Sequence, residues 1–461
     1  MKGWECISVL LMTGKEHTLS EKEEALLAKA SQISTVPNEV FSKFNNADVK
    51  FGNVKRENGQ EDELTNGNFA TFMESHDRTV RKAAFEALYK QYGAYINTIA
   101  AAFYGNVKQA MFYADARGYK STLNMYLDGS FIPENVYKNL IKTVNDNLDK
   151  MYCYVDIRKK ALGVDELHFY DIYAPMVEDI DWKISYDEAK DIVVKALAPM
   201  GEEYVSHIKE GFNNGWVDVY ENTGKRSGAF SWGAYGTHPY VFLNYSDTLN
   251  DVFTVIHEMG HAMHTYYSNA NQPYIYAGYK IFVAEVASTC NEAILMQYML
   301  KNTDDEKKKR YLLNHFFEQF KGTLYRQTMF AEFEMEAHAK AEHGEVLSAE
   351  SLCAMYKKLN EKYFGPDMVI DDEIALEWAR IPHFYTPFYV YQYATGYSAA
   401  IAISTKILAG DEQVIAGYRK FLSGGSSMHP IELLKLCGID MTRPDVVQEA
   451  LDVFGELLKQ W

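Results

Sequence analysis

Apolar residues recur every three to four positions along most of this chain, and that spacing predicts helices. In HTLSEKEEALLAKASQI, Ser20 stands before Glu21, Glu23 and Glu24, and Leu26 and Leu27 then begin an apolar stripe. That is the pattern of a capped helix start. Long helices are expected from Asp77 to about Ala116, from Pro133 to about Gly163 and from Asp187 to Asn214, and helices return from Ser246 to the end. Between Gly215 and Tyr245 the pattern changes. WVDVY, SGAFSW and YVFLNY are aromatic and β-branched runs broken by Gly, Asn and Pro, so they predict short strands. RENGQEDELTNGNF (56 to 69) reads as a polar loop or irregular hairpin. NTDDEKKKRY (302 to 311) reads as a solvated helix start, its acids ahead of its bases as the helix dipole favours. With no repeat and no low-complexity linker, one compact, mainly helical body is expected.

One helical stretch carries chemistry. VFTVIHEMGHAMHTYYS (252 to 268) sets His257 and His261 four residues apart, with Glu258 directly after the first. Positions i and i+4 share a helix face about 6 Å apart, so both imidazoles can address one ion, with zinc about 2.0–2.1 Å from each nitrogen. Glu258 is rotated about 100° from His257, close enough to serve a water beside the ion without ligating it. With 13 histidines in 461 residues, chance supplies about 0.025 such HExxH matches. The alternative is a plain helix that happens to carry histidines. It would have to bury two imidazoles and a carboxylate without partners, which is costly. His264 lies near the same face but about 10.5 Å along the axis from His257, too far for one ion. It is expected as a hydrogen-bonding neighbour of the cleft.

A catalytic zinc needs a third protein ligand and an open position. FVAEVASTCNEA (282 to 293) is apolar and helical, and Glu285 is its first acid. The loop NANQPYIYAGYK between the two helices lets them pack antiparallel, which turns Glu285 toward His257 and His261. Glu292, two turns on, either orients a histidine from behind or is a solvated glutamate. An HExxH pair with a distant glutamate fits a zinc metallopeptidase. Zinc polarises the scissile carbonyl and acidifies its water, and Glu258 carries the proton to the leaving amine.

Donors for the resulting oxyanion are densest in PHFYTPFYVYQYATGYS (382 to 398). Pro382 and Pro387 hold His383 in a constrained loop, and Tyr389 and Tyr393 are expected one turn apart on the helix that follows. A tyrosine-rich stripe is equally the pattern of a packed core, and the chain has 34 tyrosines. FLSGGSSMHP (421 to 430) either closes over a ligand through Gly424 and Gly425 or is a plain loop.

Composition narrows the setting. Acids outnumber bases 63 to 46, for a formal net charge of −17, and such a surface repels nucleic acid and anionic membranes. No apolar run approaches the length of a membrane span. Cys6, Cys153, Cys290, Cys353 and Cys437 are odd in number and scattered, with no CxxC, which reads as reduced thiols in a reducing compartment. The apolar run in MKGWECISVLLMTGK is too short for a signal-peptide core. A cytoplasmic location is expected.

KRSGAFSWGAYGTHPYVFLNY, VIHEMGHAMHTYYSN, FVAEVASTCNEA and HFYTPFYVYQYATG, in that order, resemble oligoendopeptidase F of the thimet-oligopeptidase-like zinc peptidases. The resemblance runs from about Lys15 to Trp461. It implies a mainly α, zincin-type fold with a small antiparallel sheet beside the HExxH helix and a deep substrate channel. It implies one Zn2+ per chain on His257, His261 and Glu285, with Glu258 as base and acid. His383 with Tyr389 and Tyr393 would contact substrate and transition state, with Tyr385 an alternative. The segment Ala229 to Ala234 is similar to the edge that pairs with substrate backbone. The resemblance makes 206–461 the catalytic domain, 15–205 an incomplete helical lobe and 1–14 an unrelated segment. Family members carry a further N-terminal helical region before the counterpart of Lys15. Its absence here implies either self-association or reliance on the missing lobe. Short peptides are the expected substrates. Two other readings stay open: a dipeptidyl carboxypeptidase, and a non-catalytic peptide-binding remnant. Intact HExxH, Glu285 and His383 argue against the remnant.

Overall fold

The computed structural model describes residues 14–178, 180 and 182–461, so Cys6 and most of the segment 1–14 lie outside the described residues. The chain groups into two compact units. One comprises Met1–Gly129, Asn145–Glu178 and Tyr325–Tyr391, the other Ser130–Val144, Asp179–Leu324 and Gln392–Trp461. The elements used below are helices α1 (Glu21–Ser34), α2 (Arg78–Ala94), α3 (Ile96–Ala116), α4 (Glu202–Asn213), α5 (Leu249–Asn271), α6 (Ile281–Lys301), α7 (Glu306–Gln319), α8 (Arg326–Glu342), α9 (Ala349–Phe364) and α10 (Tyr391–Leu408). The strands are β1 (Asn53–Lys55), β2 (Glu61–Glu63), β3 (Leu167–His168), β4 (Val217–Asp218), β5 (Phe230–Trp232), β6 (Tyr240–Phe242) and β7 (Met368–Val369).

In the first unit, α1 starts where the charge pattern placed it. The Ser20 amide donates to Glu23 Oε2 at 3.0 Å, closing a capping box. Of the two readings of 56 to 69, the hairpin forms: β1 and β2 pair antiparallel with Asn53 opposite Glu63. The centre of this unit is aromatic. Phe103 of α3 packs near Phe333 of α8, Trp378 and Phe384, with ring centroids 5.9–6.2 Å apart. Phe384 is only 1% exposed, so it anchors the His383 segment to this core.

In the second unit, the long helix expected over 187–214 breaks. Helix Tyr186–Ala196 ends, Ala198–Met200 forms a single 3-10 turn, and α4 follows. Pro199 has no amide hydrogen for a continuing ladder, and Gly201 takes φ +93°. The three expected strands form but are short. Their order is β4-β6-β5, with β4 parallel to β6 and β5 antiparallel to it. The sheet is therefore mixed, which corrects the antiparallel expectation. Between β4 and β6 the chain makes a long connection, 219–239, that carries β5, so β6 can return in the direction of β4 while β5 runs against it. β5 stands at one edge and packs on α5. Gly233, directly after β5, makes that approach close: a Cβ there would lie 2.4 Å from Thr265 Cγ2.

Candidate metal centre and active site

α5 begins at a capping box the sequence reading did not single out. Thr248 Oγ1 accepts from the Asp251 amide at 3.2 Å, and Asp251 Oδ2 accepts from the Thr248 amide at 2.9 Å. The helix then packs along α6. Asn291 Nδ2 donates to the Ile256 carbonyl at 3.3 Å, His257 bonds Glu292, Gly260 meets Ala287 and Ser288, and His261 faces Glu285. From Ile256 and His257 to His261 the partners on α6 fall from 291 and 292 to 285, so the helices run antiparallel, as the loop between them led one to expect. Gly260 sets their spacing. A Cβ there would stand 2.6 Å from Ser288 Cα and 2.8 Å from the Ala287 carbonyl oxygen. A mid-helix glycine is costly by helix propensity, and that was the one signal in the sequence that a close crossing occurs here.

The crossing brings three donors together. His257 Nε2 lies 3.6 Å and His261 Nε2 3.4 Å from Glu285 Oε2, and the candidate ligand atoms of all three residues fall within 4.8 Å of one another. A tetrahedral ion with bonds of about 2.05 Å places its ligand atoms about 3.3 Å apart, so the set fits one divalent cation with a position left open. Among the described residues this is the single such cluster of histidine, cysteine and carboxylate donors.

Surrounding groups aim the donors. Nδ1–H of His257 donates to Glu292 Oε1, so the neutral imidazole carries its lone pair on Nε2, where an ion would bind. Of the two readings of Glu292, the structure supports the orienting one. Gln319 Nε2 in turn donates to Glu292 Oε2 at 2.9 Å. Ser288 Oγ donates to Glu285 Oε2 at 3.0 Å. Tyr204 of α4 donates to Asn291 Oδ1 at 3.0 Å, tying a third helix to the pair. Sequence reasoning missed Ser288, Asn291 and Gln319. Ser288 lies one turn after Glu285 and was findable; Gln319 reaches the site only through tertiary packing.

The electrostatics are those of a cation site. Burial opposes charge on His257, but the Glu292 bond and the charges of Glu285 and Glu258 outweigh it and lift its pKa to about 9. Burial likewise opposes charge on Glu285, yet His261, His257 and Ser288 hold it down at about 2. Glu258 is 7% exposed and its pKa is raised: burial outweighs the lowering pull of His257 and His261, and Glu285 and Glu292 add smaller upward pushes. Its Oε2 is buried with no hydrogen-bond partner. Three carboxyl groups thus crowd two imidazoles, an arrangement a dication relieves. His264 lies off the cluster. It is buried, stacks on Tyr279 with centroids 3.7 Å apart and leaves Nδ1 without a partner, so ring packing replaces the hydrogen bond expected of it.

The remaining candidates are distributed over both units. His383, Tyr385 and Tyr389 belong to the first. His383 is exposed and its ring lies parallel to that of Tyr389, centroids 6.1 Å apart. Tyr385 is buried against Phe41, centroids 4.4 Å apart, with a partnerless hydroxyl. Tyr389 precedes α10 instead of lying on it, because Phe388 takes φ +56° and the helix starts only at Tyr391. The expected one-turn spacing to Tyr393, which is on α10 and belongs to the second unit, therefore does not arise. Ala229 immediately precedes edge strand β5. Gly424 and Gly425 are buried, and packing explains both: a Cβ would lie 2.3 Å from Leu433 Cδ2 at the first and 2.0 Å from the Tyr276 carbonyl oxygen at the second.

Comparison with known proteins follows the same lines. A sequence model of peptidase family M3 matches residues 71–453, and one of oligopeptidase F matches residues 10–51. The chain is 53% identical over 446 residues to oligopeptidase PepF of Bacillus subtilis, covering 97% of this chain and 67% of that protein. It is 44% identical over 448 residues to group B oligopeptidase PepB of Streptococcus agalactiae, covering 97% and 74%. Oligoendopeptidase-F from Enterococcus faecium, a crystal structure, superposes with a TM-score of 0.85 at 36% identity, covering 100% of this chain and 77% of that one.

Proposed function

The chain belongs to peptidase family M3, and from that premise we propose that it is a zinc-dependent endopeptidase hydrolysing short oligopeptides. The observation that carries the reading is the convergence of His257 Nε2, His261 Nε2 and Glu285 Oε2 beside a buried carboxyl oxygen of Glu258 that has no other partner. These three residues would hold the ion. Bound zinc would polarise the scissile carbonyl and acidify the attacking water.

Glu258 takes the water proton and passes it to the leaving amine. Burial suits it to that task, because a raised pKa brings the carboxyl closer to working pH. Glu292 keeps His257 in the tautomer that presents Nε2. His383, Tyr389 and Tyr393 are assigned to hydrogen bonds with the substrate carbonyl and the oxyanion that grows from it, and edge strand β5 to the peptide backbone. Short peptides and internal cleavage are supported by the relatives, several of which are named oligopeptidases or oligoendopeptidases.

The test is product analysis by mass spectrometry on a nonapeptide, before and after chelation and zinc restoration. Internal cleavage that disappears with the metal and returns with one zinc per chain is expected. Stepwise release of C-terminal dipeptides would replace the endopeptidase reading with a dipeptidyl carboxypeptidase. Peptide binding without turnover in the zinc-loaded chain would refute catalysis.

A further inference from the structure

Glu334 lies on α8 in the first unit, far along the chain from every motif discussed above. Its side chain is fully buried, and Oε1 accepts the backbone amide of Phe388 at 2.9 Å. Phe388 is one of only three non-glycine residues with positive φ among the described residues. Phenylalanine rarely adopts that left-handed conformation, so something must hold it. Tyr389 is the next residue, and its ring lies against that of His383 at the other end of the same short segment. The Phe388 turn is therefore part of what returns the chain so that these two rings lie near-parallel, centroids 6.1 Å apart.

We propose that Glu334 is a positioning residue: by accepting the Phe388 amide it locks the left-handed turn that presents Tyr389 beside His383. The proposal rests on the assignment of those two residues to the substrate carbonyl. Three observations support it beyond the hydrogen bond. Glu334 Oε2 is buried and has no hydrogen-bond partner, so the carboxyl makes no second polar contact that would account for its place in the core. The Phe388 ring is also clamped, with His338 of α8 at 4.6 Å and Tyr126 at 5.9 Å between centroids. Burial pushes the Glu334 carboxyl up to about 8, only partly offset by the Phe388 amide, so the neutral acid is the working form near pH 7. A glutamine is then a close substitute, because its amide oxygen accepts the same bond.

The experiment combines kinetics on a quenched fluorescent nonapeptide with hydrogen exchange of the peptide spanning residues 383–391, read by mass spectrometry on the zinc-loaded chain. Glu334→Ala should speed exchange in that peptide and lower kcat about tenfold or more, with KM changed less than about threefold. Glu334→Gln should keep exchange slow and retain most of kcat. Tyr389→Phe should lower kcat to a similar extent, and the double variant Glu334→Ala, Tyr389→Phe should be no worse than the poorer single one, because both act through one hydroxyl. Should Glu334→Ala fail to fold, Glu334→Asp serves, since it keeps the acid but falls one methylene short of the Phe388 amide. Unchanged exchange, or wild-type kcat in a folded Glu334→Ala chain while Tyr389→Phe is impaired, overturns the proposal. A silent Tyr389→Phe would instead remove Tyr389 from the chemistry, and exchange together with His383→Ala would then decide the role of Glu334.

Discussion

Replacing Gly260 by alanine tests whether the site depends on how closely two helices cross. The added Cβ would meet Ser288 Cα at 2.6 Å, the Ala287 oxygen at 2.8 Å and the Ser288 nitrogen at 2.9 Å, where ordinary contact begins at 3.4 Å. All three obstacles are backbone atoms of α6, so no side-chain rotation relieves them. The helices must part by about 3.4 − 2.6 = 0.8 Å at this point. Glu285 and His261 sit beside it, 3.4 Å apart between Oε2 and Nε2, and the same displacement stretches that separation toward 4.2 Å. A tetrahedral ion needs about 3.3 Å, so zinc is held badly or the helices are held under strain. Overpacking costs about 1–3 kcal/mol, while alanine regains about 1 kcal/mol of helix propensity, leaving a net loss of about 0–2 kcal/mol. Displacement of this size at a reacting centre costs on the order of 10²-fold in rate. Zinc affinity, measured by competition with a chromophoric chelator, is therefore expected to fall at least about tenfold, with a melting temperature level or lower. Gly322→Ala is the control, since a Cβ there meets nothing within 4 Å. Unchanged zinc affinity together with a raised melting temperature in Gly260→Ala would refute the reasoning, because propensity would then be the whole effect.

Other outcomes can be checked with the same assays. Glu258→Gln should keep zinc and lose at least about 10²-fold in peptide hydrolysis, as metal analysis and initial rates would show; activity above a tenth of wild type would remove Glu258 from the mechanism. Glu292→Ala frees His257 Nδ1 and should weaken zinc about 10–100-fold, with a smaller effect for Gln319→Ala; equal losses would mean that Gln319 carries more than support. In chelated protein, the His257–Glu292 pair raises the His257 pKa from 6.5 to about 9. The stability it adds is fully present below pH 6.5 and is lost as pH rises through 9. Zinc needs the unprotonated imidazole, so the melting-temperature gain on adding zinc should widen across the same interval. A gain that shrinks with rising pH would contradict the assignment of His257 as a ligand.

Much of this could be read from the chain because it depends on local geometry. Helical periodicity follows from 3.6 residues per turn, so the helix carrying His257 and His261 and the shared face of those two residues required nothing beyond their own spacing. The Ser20 start and the acid-first start at Asp305 are likewise local, since a cap bonds amides within one turn. Where the local signals were mixed, the reading slipped. Pro199 and Gly201 ended a helix that periodicity alone had continued, and Phe388 moved Tyr389 off the helix on which its spacing to Tyr393 had placed it. Sheet direction was not legible at all, because strand pairing across 217–242 is set by how the chain returns and not by any residue in the strands.

Tertiary structure alone decided which residues stand behind the donors. Glu292 was open to two readings until α6 was laid against α5, and Gln319 carried no signal, because its partner lies 27 positions away in sequence. Gly260 shows the reason most plainly. In the sequence it is an unfavourable residue inside a helix; in the fold it is the point where two backbones approach closely enough to bring Glu285 to His257 and His261. Spacing along one helix determines which side chains share a face, but only the packing of a second helix determines what that face meets, because such contacts join positions whose separation along the chain carries no period.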